Sequence, residues 1–589
     1  MRTTVLLLII FALRLHAASP NIVLIITDDQ GYGDLGCTGN PVIKTPHVDA
    51  LAAESVWLDD YHVAPTCSPT RASLMTGHWT NRTGVWHTIA GRSMLRVDQV
   101  TVADMLRKSG YITGMFGKWH LGDNYPFRPQ DRGFDEVYCH GGGGVSQTPD
   151  YWDNAYFDGH YFHNGKAVPA KGFCTDVFFD AASDFIRSSV KEGKPFFTYL
   201  ATNAPHGPLH APQEEIDRYK DQNEALATFY AMITNIDTNV GKLRKLLDEL
   251  KVTDNTIFIY TTDNGTAGGA KVFNAGMKGQ KGSEYDGGHR VPFFMHWPNG
   301  GLKEKRVIDT ICHASDIAPT LLELTGSSKP DSVKFDGSSL APLLKQKEGI
   351  DWPDRILVTD SQRVRDPIKW RKSAVMTQRW RLVNGKELYD ITADPGQKED
   401  VADRYPEETK RLQDFYEKWW ADLEPGFATY AESVFGHPDH PEILLTCHDW
   451  VTDGMSPWNH THIRRGPVEK SGRFEGYWAT RVEEAGRYRI SLRRWPVEAD
   501  HPIRGSLPPG KDVPGASKAW RAVPGKALDI TKATLQIDGK ALETKPVGDE
   551  DTEAVFEVEL KAGSQKFAPY FELADGKQVG AYFATITKL

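Results

Sequence analysis

Polar residues that follow two apolar runs are the first candidates for chemistry. The run NIVLIIT is followed by Asp28 and Asp29, and the run TIFIYTT is followed by Asp263 and Asn264. Unbroken apolar runs of this length are typical of strands that are buried on both faces of a sheet. In open α/β sheets, ligands bind at the edge formed by the carboxyl ends of such strands. These side chains offer only oxygen atoms, which favours Ca²⁺ or Mg²⁺ over zinc, although one such pair alone would indicate only a turn.

A cysteine at a predicted helix start is the second candidate. In the stretch PTCSPTRASLMTG, Ser68 has the residue type of an N-cap, Pro69 that of a first helical residue, and Gly77 that of a helix end. Cys67 is then expected just outside the positive end of the helix, where a thiol has a lowered pKa and anions bind. Arg71 lies one turn further and can point to the same place. The alternative is a buried structural cysteine.

Basic residues in three glycine-rich or turn segments complete the set. Lys118 and His120 lie in FGKWHLG, His206 lies in APHGP, and Lys281 lies in GQKGSEYDGGHRVP. Each of them alone would be interpreted as a solvated side chain. Together they would surround a metal ion and a nucleophile with cationic donors, and such a pocket suits a tetrahedral oxyanion, either sulfate or phosphate.

The elements that must position these residues alternate between strands and helices. Residues 19–345 show apolar strand-like runs with an amphipathic helical pattern before the run TIFIYTT, which predicts an α/β sheet domain. Residues 346–434 combine short strand-like segments with one polar helix and are expected to form a smaller α+β subdomain. Residues 435–589 contain short strands with glycine turns, which indicates a β-sandwich-like module.

The beginning of the chain and its overall charge bear on location and partners. Residues 1–18 have a basic start, a short apolar run and small residues at the end, as in a cleavable signal peptide, so export is expected; an uncleaved membrane anchor is the alternative. The 589 residues carry a formal net charge of −9 with mixed signs, which argues against a nucleic-acid partner. Six cysteines without a CxxC pair are neither a disulfide framework nor a zinc motif.

Taken together, these segments resemble the type I sulfatases. The stretch CSPTR matches the C-x-P-x-R signature of that family. The segments PTCSPTRASLMTG, GKWHLG, TDNG, GQKGSEYDGGHRVP and ELYDITADPGQKEDVA are also similar to sulfatase segments and occur in order between about residues 20 and 430. The resemblance implies an alkaline-phosphatase-like mixed sheet flanked by helices, with a small α+β C-terminal subdomain. The β-sandwich-like module lies outside the shared core.

The resemblance also implies a modified residue and a bound cation. In this family the cysteine of the signature is converted after synthesis to Cα-formylglycine, so Cys67 is expected to meet a formylglycine-generating maturation enzyme. Asp28, Asp29, Asp263 and Asn264, together with the modified Cys67, are implied as ligands of a cation that is usually Ca²⁺, with Mg²⁺ as a second possibility.

The roles of the remaining site residues follow from the same resemblance. Hydrated formylglycine at position 67 would supply the attacking oxygen, and Arg71 would hold that diol. His206 would protonate the leaving alcohol, and His120 would help to expel sulfate and regenerate the aldehyde. The sulfate oxygens would be bound by two lysines, Lys118 and Lys281.

The substrate and the role of the last module remain open at this stage. An exported sulfatase is expected to remove sulfate from a sulfated carbohydrate or an aryl sulfate. A phosphate or phosphonate monoester hydrolase of the same superfamily is the first alternative, and a non-catalytic glycan-binding protein is the second. Five residues near the motifs are candidates for lining the pocket: Trp86, His87, Arg92, Arg128 and His210.

Aromatic and histidine residues of the last module allow two interpretations. Trp450, Trp458 and Trp478 would either contact a glycan or form a buried core. His460 and His462 have the spacing of a metal pair, but their alternation is also expected for a strand.

Overall fold

The computed structural model describes residues 19–346, 352–467 and 474–589. The predicted signal peptide, residues 1–18, lies outside these ranges. Within them, no helix combines the length and the apolar character that crossing a bilayer requires.

The first part of the chain builds a mixed sheet of ten strands, with helices on both faces, and a separate pair of two short strands. Its strands are β1 (Asn21–Thr27), β2 (Val56–Leu58), β3 (Tyr61–His62), β4 (Ile112–Lys118), β5 (Glu136–His140), β6 (His160–His163), β7 (Lys166–Pro169), β8 (Phe196–Ala201), β9 (Thr256–Thr262), β10 (Phe293–His296), β11 (Arg306–Ile308) and β12 (Cys312–His313). Its helices are α1 (Pro46–Ala53), α2 (Cys67–Thr76), α3 (Val102–Lys108), α4 (Cys174–Glu192), α5 (Gln213–Asp217), α6 (Glu224–Glu249), α7 (Asp286–His289), α8 (Ile317–Thr325) and α9 (Ala341–Leu344).

The order of the strands places β1 in the middle of this sheet. Ten strands pair in the order β11-β2-β10-β9-β1-β8-β4-β5-β6-β7, while β3 and β12 pair separately. The central neighbours of β1, strands β8 and β9, both run parallel to it. All seven residues of β1 are buried, because alternate side chains pack into the apolar cluster on either side of the sheet. The predicted mixed α/β sheet is confirmed.

The smaller subdomain is an antiparallel sheet covered by one helix. It consists of β13 (Leu357–Asp360), β14 (Ser373–Met376), β15 (Trp380–Val383), β16 (Glu387–Asp390) and α10 (Pro406–Leu423). The apolar side of α10 packs on these strands through four large side chains: Leu412, Tyr416, Trp419 and Trp420. The helix is polar on its other side because that side faces solvent.

The last module has two sheets around one apolar core. Its elements are β17 (Ser433–Phe435), β18 (Glu442–Thr446), α11 (His460–Arg465), β19 (Trp478–Val482), β20 (Gly486–Arg493), β21 (Ile530–Ile537), β22 (Lys540–Pro546), β23 (Ala554–Leu560), β24 (Gly563–Phe567), β25 (Tyr570–Leu573), β26 (Gln578–Gly580) and β27 (Phe583–Lys588). One sheet contains seven of these strands and the other contains β18, β27, β20 and β23. The first strand, β17, already pairs with β19, so the sheet begins shortly before residue 435.

The structure decides one open interpretation of this module and corrects another. Trp450 and Trp478 are buried in the core between the sheets, so they cannot stack on a glycan. His460 and His462 lie in the first turn of α11 and not on a strand, because the side chain of Asn459 accepts a hydrogen bond from the backbone N–H of His462 and starts a helix there.

Candidate active site

The two strand ends with acidic residues meet at one edge of the sheet. Strands β1 and β9 pair in register with Thr27 opposite Thr262, so the residues that follow them are neighbours. The backbone N–H of Asp29 donates to Oδ1 of Asp263 at 3.2 Å, and Nδ2 of Asn264 donates to Oδ1 of Asp29 at 3.0 Å. Asp29 has a left-handed backbone (φ 68°), which is uncommon for a residue other than glycine.

Cys67 is the first residue of helix α2, which corrects the predicted helix start. Thr66 is the N-cap, because its carbonyl accepts the first helical bond from the N–H of Thr70 at 3.3 Å. Ser68 therefore lies inside the first turn, and its buried hydroxyl has no partner in the described part of the chain. The predicted end is confirmed, since Gly77 has the left-handed conformation (φ 72°) that closes the helix.

The thiol of Cys67 is also not activated, contrary to the expectation from its place at the helix end. Burial and the negative charge of Asp28 raise its pKa to about 12, and Sγ lies 3.3 Å from Oδ1 of Asp28. The unmodified residue is thus a poor nucleophile at neutral pH.

Four of the predicted ligands converge closely enough to share one ion. One ligand atom from each of Asp28, Asp29, Cys67 and Asp263 lies within 4.8 Å of all the others, and all four residues are buried. Oδ1 of Asn264 is buried beside them and has no hydrogen-bond partner among the described residues. An unpartnered amide oxygen next to three carboxylates is a donor set that fits Ca²⁺ or Mg²⁺.

Basic side chains partly offset the charge of this acidic group. Nζ of Lys118 lies 2.6 Å from Oδ2 of Asp28, and Nζ of Lys281 lies 2.6 Å from Oδ2 of Asp29. Although burial alone would raise it, the charge of Lys281, with those of other basic neighbours, holds the pKa of Asp29 well below its usual value. In contrast, burial and the charge of Asp28 raise the pKa of Asp263 to about 6.

Arg71 holds Asp263 from the helix side. Its Nε and Nη2 donate to Oδ2 of Asp263 at 3.1 and 2.8 Å, and both side chains are completely buried. Its Nη1 donates to the carbonyl of Lys118 at 3.1 Å, which ties the helix to the end of β4. Arg71 therefore fixes the relative positions of the helix that carries Cys67 and the strands that carry the ligands.

The two predicted histidines lie near this group but differ in their surroundings. Nε2 of His206 is 3.9 Å from Oδ2 of Asp29, while its Nδ1 donates to the carbonyl of Gly207 at 2.6 Å. Burial and the charge of Lys281 lower the pKa of His206 to about 3. His120 has a left-handed backbone (φ 60°), and its Nε2 donates to the carbonyl of Thr88 at 2.9 Å. Burial, with the charge of Lys118, holds the pKa of His120 well below its usual value.

A glycine loop over His120 was missed by the sequence reasoning. A Cβ atom on Gly143 would lie 2.1 Å from Cε1 of His120, so only glycine allows the loop to cover the ring. The run of four glycines at 141–144 was the available signal, since such runs mark a close approach of backbone to another group. The contact of Thr88 with His120 had no comparable signal.

The five residues considered as pocket lining all have hydrogen-bond partners within the protein. The guanidinium of Arg92 donates to the carbonyls of Arg365, Phe427 and Thr429, and the indole of Trp86 donates to the carbonyl of Val364. The other three also have partners: His87 binds the N–H of Thr88, Arg128 binds Asp131, and His210 binds the carbonyl of Ser517. Arg128 nevertheless lines a cavity together with Tyr125 and His140.

A second group of metal-binding residue types is already occupied by a guanidinium. His62, Asp286 and His289 have ligand atoms within 4.8 Å of one another. Nε of Arg381, which comes from β15, donates to Asp286 at 3.1 Å, and its Nη2 donates to Asp60 at 2.9 Å. The cluster is therefore an ion-pair network between the subdomain and the α/β domain.

All six cysteines of the chain have free thiols in the structure. Cys67 is thus not committed to a disulfide, and no bridge contributes to the core.

Comparisons with known proteins identify the class to which this site belongs. A family model described as Sulfatase matches residues 20–327, and one described as N-sulphoglucosamine sulphohydrolase, C-terminal, matches residues 280–420. N-acetylgalactosamine-6-sulfatase of Homo sapiens is 33% identical over 365 residues, which cover 57% of this chain and 67% of that protein. Arylsulfatase A of Homo sapiens is 28% identical over 493 residues, which cover 74% and 94%. The chain belongs to the sulfatase family and is a sulfatase, an enzyme that hydrolyses sulfate esters.

A solved structure gives the same result for the fold. The crystal structure of Ps i-CgsB in complex with k-i-k-neocarrahexaose is 31% identical, with a TM-score of 0.63, and covers 70% of this chain and 95% of that one. The alkaline-phosphatase-like fold expected from the sequence is confirmed.

Proposed function

We propose that this enzyme removes sulfate from a sulfated carbohydrate, using Cys67 in the form of hydrated Cα-formylglycine and one bound Ca²⁺ or Mg²⁺. The reaction consumes R–O–SO₃⁻ and water and yields R–OH, sulfate and a proton. The observation that supports it most is the buried group formed by Asp28, Asp29, Cys67 and Asp263, whose ligand atoms lie within 4.8 Å of one another. A cation in that group would offset the negative charge around position 67 and that of the sulfate.

The modification explains why a cysteine with an unreactive thiol occupies this place. Formylglycine at position 67 would supply, as its hydrate, an oxygen nucleophile that can later release the sulfate by reverting to the aldehyde. Arg71 would orient that group, because Arg71 lies one helical turn after position 67 and its guanidinium is held by Asp263 and by the carbonyl of Lys118.

The two lysines and the two histidines would act on the substrate. Lys118 and Lys281 each contact one carboxylate at 2.6 Å, and their ammonium groups would bind sulfate oxygens once a cation neutralises those carboxylates. Because Nδ1 of His206 donates to the carbonyl of Gly207, the ring would act as an imidazolium, a form that the negative charge of a bound sulfate would favour. It would then give the proton on Nε2 to the leaving alcohol. His120 would assist the release of sulfate.

The substrate class and the location are also part of the proposal. A sulfated saccharide is favoured because the similar protein Ps i-CgsB is solved in complex with k-i-k-neocarrahexaose, and a relative that is 33% identical is named N-acetylgalactosamine-6-sulfatase. Residues 1–18 would direct export, residues 19–345 and 346–434 would form the catalytic unit, and residues 435–589 an accessory module. A formylglycine-generating enzyme of the host would be the partner that matures Cys67.

Sulfate release from the purified enzyme tests this proposal. The protein is made in a host that forms formylglycine, conversion of residue 67 is measured by peptide mass, and sulfate release is followed on sulfated sugars and aryl sulfates, with phosphate esters alongside. We expect sulfate release that is lost in Cys67→Ala and after removal of divalent cations. Equal activity in Cys67→Ala, or release of phosphate alone, would contradict the proposal.

A further inference from the structure

The β-sandwich module contacts the loops that hold both catalytic histidines. The first of these loops carries Thr88, whose carbonyl accepts from His120, and two residues later the N–H of Ala90 donates to the carbonyl of His448 at 3.1 Å. His448 belongs to the module, and its ring lies 6.1 Å from that of His120, centre to centre. The module therefore supports the loop that orients His120.

The second loop is the glycine run that covers His120 and borders His206. A Cβ on Gly144 would lie 3.6 Å from Nδ1 of His206, so this loop passes beside both histidines. A few residues later, the N–H of Thr148 donates to the carbonyl of Trp458 at 2.9 Å, and the N–H of His460 donates to the carbonyl of Ser146 at 3.1 Å. The start of α11 is thus bonded to this loop.

The third loop is the turn that carries His206 itself. The N–H of Leu209 donates to Oγ of Ser517 at 3.0 Å, and the N–H of Ser517 donates back to the carbonyl of Leu209 at 3.3 Å. Nε2 of His210 donates to the carbonyl of Ser517 at 2.8 Å. The segment before β21 therefore lies against the turn of the residue that would protonate the leaving group.

Two tryptophans of the module are partly exposed beside these contacts. The rings of Trp458 and Trp520 meet edge to face at 5.3 Å, and His462 packs on Trp458 at the same distance. Oγ1 of Thr461 donates to the carbonyl of Trp520 at 3.1 Å, which links the two segments. Both side chains are partly exposed, whereas Trp450 and Trp478 are buried in the core of the module.

We infer that Trp458 and Trp520 form a binding surface for the carbohydrate on the leaving-group side of the site. An indole ring offers apolar area to the C–H face of a pyranose and an N–H donor to a hydroxyl or sulfate oxygen. The inference rests on the proposed function. If His206 protonates the leaving alcohol, the leaving sugar lies on the side of the site where the His206 turn meets the module. The module would then contribute to substrate choice, and the residues of the α/β domain to the chemistry.

Comparison of two substrate sizes tests this inference in the full chain with residue 67 converted. The kcat/KM is measured for sulfated oligosaccharides from carrageenan and glycosaminoglycans and for 4-methylumbelliferyl sulfate. In Trp458→Ala and Trp520→Ala, we expect the ratio of the oligosaccharide value to the aryl sulfate value to fall about tenfold, mainly through KM, with partial recovery in Trp458→Phe. Trp370→Ala is the control, since Trp370 stacks on Tyr416 of the α+β subdomain, and its ratio should match the wild type.

Binding measurements separate this inference from the proposed reaction. Calorimetry with the same oligosaccharides is carried out on Cys67→Ala, with and without Trp458→Ala. A tenfold weaker Kd in the double variant would support the surface even if the wild type released no sulfate. An unchanged ratio in both tryptophan variants, or no binding of any oligosaccharide to Cys67→Ala, would overturn the inference.

Discussion

Replacing Arg71 by methionine should destabilise the enzyme strongly and in a cation-dependent way. Arg71 and Asp263 are both fully buried and share two hydrogen bonds at 2.8 and 3.1 Å. Arg71→Met keeps most of the side-chain volume but leaves the carboxylate of Asp263 buried without its partner. Breaking one side of such a pair costs about 3–5 kcal/mol. For a cooperative unit of several hundred residues, this corresponds to a decrease in Tm of roughly 3–6 °C.

The measurement is thermal unfolding at pH 7, first without divalent cations and then with added Ca²⁺. Arg411→Met is the matched control, because Arg411 forms an exposed pair with Glu408 on α10 at 2.7 Å, and such pairs contribute about 0–1 kcal/mol. Added Ca²⁺ should reduce the loss in Arg71→Met, since a cation bound by Asp263 would compensate the unpaired carboxylate. A combined Arg71→Met and Asp263→Asn variant should lose less than the sum of the two single changes.

Two results would refute this reasoning. A decrease in Tm no larger than that of Arg411→Met would mean that the buried pair is not held as the structure shows. Exact additivity of Arg71→Met and Asp263→Asn would mean that the two side chains are energetically independent despite their contact at 2.8 Å.

Three further predictions concern the cation, the subdomain contact and pH. Ca²⁺ at about 100 times its Kd should raise the unfolding free energy by about 2.7 kcal/mol. Asn264→Ala, which removes the unpartnered amide oxygen, should weaken Ca²⁺ binding as measured by calorimetry. An unchanged Kd would exclude Asn264 as a ligand. Arg381→Met should lower the unfolding free energy by about 3–5 kcal/mol, because it leaves Asp60 and Asp286 buried without their shared guanidinium; a loss below 1 kcal/mol in thermal unfolding would contradict this. Burial and a nearby arginine lower the pKa of His313 to about 3, so the unfolded chain binds a proton below about pH 6.5 that the folded chain does not, and stability falls with decreasing pH by about 1.4 kcal/mol per unit. His313→Asn keeps a side-chain acceptor for the N–H of Ser315 but removes the group that titrates. The Tm of this variant should therefore change less than that of the wild type between pH 7 and pH 5. An equal change would be inconsistent with the low pKa of His313.

Local patterns were sufficient for the elements that carry the site. The apolar runs of β1 and β9 have the length and composition of doubly buried strands, and each is followed directly by acidic or amide residues, so both the strands and their shared edge were predictable. The C-x-P-x-R signature, which begins at Cys67, similarly located the helix and its end at Gly77. Such features depend on neighbours in the chain, which a sequence displays directly.

Features that depend on distant neighbours were predicted wrongly or not at all. Its place at a helix start predicts a lowered pKa for the Cys67 thiol, but burial and the charge of Asp28 raise that pKa. Arg92 has the residue type of an anion ligand, yet three backbone carbonyls from other parts of the chain occupy its guanidinium. For Trp450 and Trp478 the sequence left a glycan contact and a buried core both open, and the two sheets of the module decide for the core.

The sequence by itself therefore determined the class of enzyme, the order of its elements and the set of reactive side chains, because residue type and short-range spacing carry that information. The tertiary structure alone decided which charges face each other, which donors are already satisfied, and that three loops around His120 and His206 rest on the last module. The reason is physical: burial and electrostatic interactions act through space, and the residues that impose them on the site lie up to several hundred positions away in the chain.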